Sequence, residues 1–265
     1  MNPLYFGRPE APLYGAYYPA ETAGTRGEAV LLCGPVGQEY MRTHRALHQL
    51  AGQLAGAGCD VLRFEYTGIG DSAGDEAAVE LATWQQDIVT AARELTELSG
   101  ASRVALIGVR LGASLAFAVA GSVRASRLVL WDPVVSGAEY LALLERLHAA
   151  SLVDPGRFQT PRTVVATEDE ALLLGYHFSA TLRRDLRQLS LLGRSIPAAE
   201  ISLVVSETSP PYDALRAQLQ REGGRVAYHL VPPANAWDQL DRIEKVLMPY
   251  AAIKTIVALV TKAPT

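Results

Sequence analysis

A turn with two glycines around an arginine has the clearest chemical meaning in this sequence. The segment Gly108-Val109-Arg110-Leu111-Gly112 follows an apolar run at residues 104–107 and leads directly into a helix-length segment. Glycines two positions before and two positions after a central residue, on a strand-to-helix turn, are the frame of a nucleophile elbow. Such a turn strains the backbone of the central residue and exposes its side chain above the sheet. The spacing therefore places Arg110 where a nucleophile would stand.

Arg110 itself cannot be that nucleophile. A guanidinium stays protonated at any working pH and does not attack a carbonyl carbon. It can, however, bind an anion or a carbonyl oxygen, and the helix that begins at Leu111 directs its amide groups and positive dipole end to the same place. The turn therefore predicts a site for a carboxylate, an enolate, a phosphate-bearing acyl group or a developing oxyanion, in strongly electropositive surroundings.

Two other side chains could serve as nucleophiles. Cys33 ends a predicted strand, and a thiolate is an intrinsically good nucleophile. Free cysteines are more often small buried residues, and that interpretation is favoured. Ser114 lies one turn inside the helix that follows the elbow. There its hydroxyl is expected to pack or to bond back to a backbone carbonyl.

A polar run at residues 38–45 is the other place where chemistry could reside. His44 and Arg42 could supply acid–base or anion-binding groups, although a solvated or helix-capping role for this run is favoured. His44 and His48 share a helical spacing, but no carboxylate or third imidazole completes a set of metal ligands there. The sequence therefore predicts no metal and no cofactor.

Composition excludes several classes of protein. The 265 residues contain 24 basic and 28 acidic side chains, a net charge of −4, so nothing predicts nucleic-acid binding. The most apolar uncharged stretch, residues 111–123, falls short of the ~20 residues that a membrane-spanning helix needs. The first residues lack the basic and apolar regions of a secretory signal, and two cysteines do not make a disulfide framework. We therefore expect a cytoplasmic protein with neither a nucleic acid nor a membrane as its partner.

The elements that must position the turn alternate along the chain. Short β-rich runs alternate with helix-length segments, which is typical of a mostly parallel sheet with helices on both faces. Residues 137–197 contain helical patches and no clear strand, and we interpret them as a helical lid over a pocket. The predicted division is a core of residues 1–136 and 198–265 with a lid insertion at 137–197. The predicted core strands lie at residues 13–18, 29–33, 61–66, 104–108, 128–131, 201–206 and 226–231.

Taken together, the turn and its surroundings resemble the α/β-hydrolase superfamily, and specifically its serine-aminopeptidase-like branch. Within that branch the chain is closest to the exosortase A system-associated hydrolases, some of which also have arginine at the elbow. The resemblance implies an α/β-hydrolase fold with a mostly parallel central sheet, helices on both faces and a helical lid insertion. Besides the elbow, it is carried by residues 31–40 (LLCGPVGQEY) at the oxyanion loop, 64–72 (FEYTGIGDS) at a strand-end motif and 128–134 (LVLWDPV) at the sixth strand.

The resemblance also implies where a catalytic triad would lie. It puts the nucleophile at Arg110, the acid at Glu207, and the histidine in the loop at residues 230–237, which contains no histidine. His229 lies too early, within the last predicted strand. Asp132, after the sixth strand, could replace a displaced acid. A serine nucleophile and a histidine base are therefore both missing, which disfavours an ordinary Ser-His-Asp hydrolase because triad members act as a unit.

The same resemblance implies positions that would bind a substrate. Val36 and Gly37 belong to the oxyanion loop, Leu111 begins the helix after the elbow, and Trp237 lies near the missing histidine, where it would line the pocket or anchor the last helix. Glu207 would face Arg110 across the cleft, so a purely structural ion pair between these two side chains is an alternative to ligand binding by Arg110.

Three functions remain open from the sequence. The first is an enzyme acting on an acyl, ester or thioester compound, free or carrier-bound, in which Arg110 binds an anion or oxyanion and Cys33, His44 or Glu207 handles protons. The second is a non-catalytic pseudohydrolase that binds an acyl ligand or a partner. The third, less favoured, is a hydrolase that uses Cys33 or Ser114. Oligomeric state and substrate identity are not predicted.

Overall fold

The computed structural model describes residues 1–21, 27–154, 171–195, 198, 200–233, 235–242 and 245–261. These ranges contain ten strands: β1 Asn2–Arg8, β2 Ala11–Tyr18, β3 Glu28–Cys33, β4 Val61–Phe64, β5 Arg103–Val109, β6 Arg127–Trp131, β7 Leu172–Leu173, β8 Tyr176–His177, β9 Glu200–Val205 and β10 Arg225–Leu230. The α-helices are α1 Gln38–Gly56, α2 Leu81–Ser99, α3 Leu111–Val123, α4 Gly137–Leu152, α5 Ala180–Gln188, α6 Pro210–Arg221 and α7 Tyr250–Thr261.

Eight of the strands form one sheet in the order β1-β2-β4-β3-β5-β6-β9-β10. β1 pairs antiparallel with β2, and β2 pairs antiparallel with β4. The remaining pairings, from β4 through β3, β5, β6 and β9 to β10, are all parallel. The predicted mostly parallel sheet is therefore confirmed. β3 lies beside β5, so the loops after these two strands meet at one edge of the sheet, where ligands bind in open α/β sheets.

Two apolar cores lie on opposite faces of the sheet. Every residue of β6 and all but the first of β3 and β5 are buried, as expected for strands covered on both faces. α1 and α7 pack on one face through buried leucine, isoleucine and alanine side chains. α2, α3 and α6 pack on the other. Helices on both faces, as the sequence predicts, thus hold the central strands in place.

The predicted lid at residues 137–197 includes α4, the short hairpin of β7 and β8, and α5. The hairpin was not predicted, because two-residue strands leave no periodicity in a sequence. Residues 155–170, 196 and 197 lie outside the described part of the chain, so the division into core and lid remains a prediction.

The C-terminal part of the described chain contains one short turn and one α-helix. Leu240–Arg242 is a single 3₁₀ turn, and α7 begins only at Tyr250. Pro249 explains the late start, because the residue before a proline is kept out of the α-helical region. No helix within the described ranges is long and apolar enough to cross a bilayer.

Candidate functional site

The elbow predicted from the glycine spacing is present at the end of β5. Arg110 has φ 53° and ψ −122°, and α3 begins at the next residue. Residues with a Cβ seldom adopt this backbone conformation, and it occurs where the surrounding structure imposes it. The amide of Arg110 donates to the carbonyl oxygen of Trp131 at 3.0 Å, which ties the turn to β6. The Arg110 side chain therefore leaves the sheet at its carboxyl edge.

Both glycines of the elbow are required by close backbone approach. A Cβ on Gly108 would lie 2.3 Å from the Cα of Ala113. A Cβ on Gly112 would lie 2.1 Å from the carbonyl oxygen of Gly34, at the start of the predicted oxyanion loop. Backbone atoms cannot move away as a flexible side chain can, so any larger residue forces the strand, the loop and α3 apart.

Gly112→Ala is therefore expected to lower the free energy of unfolding by about 3 kcal/mol, the upper end of the usual cost of overpacking a core. Gly52→Ala is the matched control. Gly52 is an exposed position inside α1 where a Cβ would meet no atom within 4 Å. Alanine should stabilise the helix there by about 0.5–1 kcal/mol. Urea denaturation of both variants measures the two effects, and equal stability of the Gly112 variant and the parent would contradict the close approach.

The Arg110 side chain is buried and held from several sides. Its Nε donates to Oε1 of Glu39 at 2.9 Å, and its Nη1 donates to the carbonyl oxygen of Asp132 at 3.2 Å. The guanidinium carbon lies 5.0 Å from the ring centroid of Trp237 and 5.7 Å from that of Tyr140. Only 7% of Arg110 and 1% of Glu39 are exposed. The elbow arginine is thus one half of a buried ion pair.

The electrostatics of the elbow differ from those that the sequence predicts, because Glu39 lies beside Arg110. Tyr140 donates its hydroxyl to Oε2 of Glu39 at 3.2 Å. Burial alone would lower the pKa of Arg110, but nearby groups, chiefly the Glu39 carboxylate, raise that pKa above its usual value. The expectation of a strongly electropositive turn is therefore wrong, because Glu39 balances the charge of Arg110.

The predicted ion pair between Arg110 and Glu207 is also wrong. Arg110 pairs with Glu39 because that carboxylate stands in the first turn of α1, directly after the loop from β3, and β3 is the neighbour of β5. Glu207 lies exposed just after β9. The pKa of the Glu207 carboxyl is raised, and the largest cause is the partial desolvation of this group. The carboxylates of Asp238 and Asp132 raise the pKa further, whereas Arg110 lowers it.

Asp132 is the centre of a second buried cluster. It is fully buried, at the end of β6. Its Oδ1 accepts from the amide of Ser206 at 2.7 Å, and its Oδ2 accepts from the Ser206 hydroxyl at 2.9 Å. The same Oδ2 accepts from Nδ2 of Asn235 at 2.7 Å and from the indole Nε1 of Trp237 at 2.8 Å. The Asp132 carboxylate therefore anchors the loop at residues 230–237, where the resemblance places a histidine.

Cys33 and Ser114 do not reach the elbow side chain. Cys33 is fully buried in the apolar core, and burial raises the pKa of its thiol well above the usual range. Ser114 is also fully buried, and its hydroxyl donates to the carbonyl oxygen of Val134 at 2.6 Å. Both positions agree with the structural interpretations that the sequence favours for these residues.

His44 lies apart from Arg110. Its ring lies on α1 beside Arg63, with 3.3 Å between the histidine Nδ1 and the arginine Nη1. Burial and the Arg63 charge lower the pKa of His44. The imidazole lines a separate cavity of about 10 Å³, whose lining does not include Arg110, and that volume is at the lower limit of what can hold one water molecule.

The structure places the predicted substrate-binding residues in different surroundings. Val36 and Leu111 are buried at 1% and 0% exposure, so only their backbones could meet a ligand. A Cβ on Gly37 would lie 3.7 and 3.8 Å from ring atoms of Tyr176 and Phe178, which belong to the hairpin and the segment after it. Aromatic rings thus cover the loop that the resemblance assigns to the oxyanion.

A cavity of about 260 Å³ opens beside the elbow. Among the described residues of its lining, three polar side chains are more than nine-tenths buried: Arg110, Tyr140 and Tyr212. Between described residues, neither the Tyr212 hydroxyl nor the Nη2 of Arg110 makes a hydrogen bond. Polar groups in such places are usually paired, so both are available to a ligand. The cavity is lined by Arg110, Pro133, Val134, Val135, Ser136, Glu139, Tyr140, Leu143, Glu207, Ser209, Pro211 and Tyr212.

Solved structures resemble this one over most of the chain. An esterase from Pyrobaculum calidifontis superposes with a TM-score of 0.65 at 15% identity, covering 98% of this chain and 84% of that one. Est1E from Butyrivibrio proteoclasticus, bound to ferulic acid, gives 0.62 at 14% identity, covering 97% and 96%. A lidless α/β serine hydrolase from Xanthomonas campestris gives 0.55 at 16% identity, covering 86% and 81%. This chain has the α/β-hydrolase fold.

Sequence relatives add little about activity. Two uncharacterized proteins of Mycobacterium tuberculosis, from strains CDC 1551 and H37Rv, are 36% identical over 132 residues. That match spans 47% of this chain and 43% of each relative, so the chain covers less than half the length of these relatives. No family model matches the sequence.

Trp237 lies between Asp132 and the elbow. Its indole bonds to the carboxylate of Asp132 on one side and lies over the Arg110 guanidinium on the other. Arg42 packs against the same ring at 4.9 Å and donates from Nη2 to the carbonyl oxygen of Asn235 at 2.9 Å. An indole N–H donates only, so this side chain cannot accept a proton as an imidazole does.

Glu39 is the site residue that sequence reasoning missed. Its only signal is an acidic residue in the first turn of a helix, which many helices have for their dipole. Tyr140 and Tyr212 were missed as well, since an aromatic on a helical face predicts core packing. Within the described ranges, no group of three or more histidine, cysteine or acidic side chains could hold a metal ion.

Proposed function

We propose that this protein is a non-catalytic pseudohydrolase that binds a small acyl compound through a carbonyl or carboxylate oxygen at Arg110. The observation that supports it most directly is the state of that arginine. Glu39 and the Asp132 carbonyl hold two of its nitrogens, and the Arg110 side chain contributes to the lining of a cavity. A guanidinium fixed in this way is a preorganised hydrogen-bond donor to an oxygen.

The residues around the elbow support binding rather than hydrolysis. A triad needs a nucleophile, a base within hydrogen-bond reach of it and an acid that orients the base. Here position 110 is an arginine, position 237 is a tryptophan, and the Asp132 carboxylate already accepts four hydrogen bonds from neutral groups. The thiol of Cys33 and the hydroxyl of Ser114 are both fully buried.

The size and lining of the cavity support a small ligand, free or attached to a carrier. About 260 Å³ corresponds to roughly nine water molecules at ~30 Å³ each. Val134, Val135 and Leu143 supply an apolar wall for an acyl chain, and the Tyr212 hydroxyl supplies a second polar contact near Arg110.

The test is binding of unbranched carboxylates from acetate to hexanoate, followed by NMR. We expect saturable binding that weakens at least tenfold in the double variant Arg110→Met with Glu39→Gln, since a hydrogen bond to a charged group contributes about 1.5–3 kcal/mol. The double variant removes both members of the ion pair, so neither is left buried without its partner. Arg216→Met, at an exposed arginine on α6 outside the cavity lining, is the matched control and should bind normally.

A serine-hydrolase probe tests the other half of the proposal. We expect no mass increase after incubation with a fluorophosphonate and no burst with an activated ester. Covalent labelling at Cys33 or Ser114 would overturn the proposal. So would steady turnover of an ester or thioester that is lost in Glu207→Gln, because that result would make Glu207 a proton-transferring group of an enzyme.

A further inference from the structure

The cavity beside Arg110 has an unequal distribution of charge. Among the described residues, three charged side chains line it: Arg110, Glu139 and Glu207. Arg110 lies nine-tenths buried at the inner end, whereas both glutamates are exposed. A molecule inside the cavity therefore meets a hydrogen-bond donor at depth and two carboxylates near solvent.

The positive charge at the inner end is already compensated. The carboxylate of Glu39 lies 2.9 Å from the arginine Nε, just behind the cavity wall. The glutamates of the lining have no such compensation, since neither Glu139 nor Glu207 forms an ion pair with a described residue. With Glu39 counted, the described residues around the cavity carry more negative than positive charge.

The two glutamates stand on separate elements that both contribute to the cavity lining. Glu139 lies in the first turn of α4, three residues after Ser136, whose hydroxyl caps that helix. Glu207 lies between β9 and α6, and the carboxylates of Asp238 and Asp132 add negative potential around it. Two carboxylates in the lining of one cavity favour a cationic group there, because opposite charges attract.

We propose that the ligand of this cavity carries an ammonium or other cationic group in addition to its acyl oxygen. The oxygen binds Arg110 and Tyr212 at the inner end, and the cation lies between Glu139 and Glu207 at the opening. The class is that of ω-amino acids and amino-substituted acyl compounds. This inference rests on the proposed binding of an acyl oxygen at Arg110.

The size of the cavity selects the probe. A volume of about nine water molecules matches a molecule of about nine non-hydrogen atoms. The ω-amino acid 6-aminohexanoate has that size, and it separates its two charged ends along a flexible chain. Hexanoate is the same molecule without the ammonium group. Hexylamine has the same six-carbon chain with a methyl group in place of the carboxylate.

The experiment measures the affinities of these three probes by calorimetry at low ionic strength. We expect 6-aminohexanoate to bind at least tenfold more tightly than hexanoate. In the double variant Glu139→Gln with Glu207→Gln, the difference should shrink to within twofold, while hexanoate binds as well as before or better. The matched control, Glu145→Gln with Glu222→Gln, alters one carboxylate on α4 and one at the end of α6, neither in the cavity lining, and should keep the full difference.

The outcomes separate this inference from the proposed function. Equal affinity for 6-aminohexanoate and hexanoate, with hexanoate binding still dependent on Arg110, overturns the cationic group and leaves acyl binding in place. A preference that survives in the Glu139 and Glu207 double variant also overturns the inference. Binding of hexylamine as tight as that of 6-aminohexanoate, or binding that ignores the Arg110 variant, instead overturns the proposed function itself.

Discussion

Glu39→Gln is expected to lower the free energy of unfolding by about 3 kcal/mol. The change keeps the shape of the side chain but leaves the buried Arg110 guanidinium without its carboxylate. Breaking a buried ion pair by neutralising one partner costs about 3–5 kcal/mol, because the other charge stays buried and uncompensated. Arg42 adds to the effect, since Glu39 also offsets the repulsion between the two arginines. Denaturation in guanidinium chloride measures the loss.

Two controls show whether the loss comes from the unpaired charge. Adding Arg110→Met to Glu39→Gln removes that charge and should recover at least half of the lost stability, because apolar replacements of buried pairs are often neutral. Glu145→Gln breaks an ion pair with Arg183 in which the glutamate is 42% exposed, so it should change stability by less than about 1 kcal/mol. If Glu39→Gln behaved like Glu145→Gln, the buried pair would not stabilise the fold.

Asp132→Asn is expected to cost about 3 kcal/mol or more. The carboxylate accepts four hydrogen bonds in a fully buried place. An amide offers one oxygen, and its NH₂ group would face donors from Ser206, Asn235 or Trp237. Each buried donor left without an acceptor costs about 1–3 kcal/mol. The loop that these donors hold should loosen before the rest of the molecule unfolds.

Hydrogen exchange of the Trp237 indole N–H provides the local measurement. That proton is bonded to Asp132 and covered by protein, so it should exchange slowly in the parent and much faster in Asp132→Asn. Asp241→Asn removes a carboxylate that is 67% exposed, and it should leave both exchange and stability nearly unchanged. Slow exchange of the indole proton in Asp132→Asn would show that this carboxylate does not anchor the loop.

The two buried clusters explain how an arginine can occupy an elbow. The turn requires a strained backbone at Arg110 and presents its side chain to a partly closed site. Glu39 balances the charge and Trp237 covers the flat face of the guanidinium. The elbow thereby holds a rigid, charge-compensated hydrogen-bond donor, which fits the proposed binding of an oxygen at Arg110.

Local patterns were enough to predict the core of the fold. Buried parallel strands such as β5 and β6 are continuous apolar runs, and amphipathic helices such as α2 repeat their apolar residues with helical spacing. The elbow was predictable for the same reason. Gly108 and Gly112 are needed because the backbone of the turn lies too close to α3 and to the neighbouring loop for a side chain at either position. β1 was missed because it is an edge strand with mostly exposed residues and a proline and a glycine in its sequence.

What the sequence by itself determined about this protein is therefore the sheet, the helices, the strained turn and the absence of a histidine after the last strand. The partners of Arg110 and Trp237 were decided only by the tertiary structure. Glu39 lies 71 residues before Arg110, and Asp132 lies 105 residues before Trp237. No local pattern joins such pairs, because their side chains meet only when the order of the parallel strands brings separate loops to the same edge of the sheet.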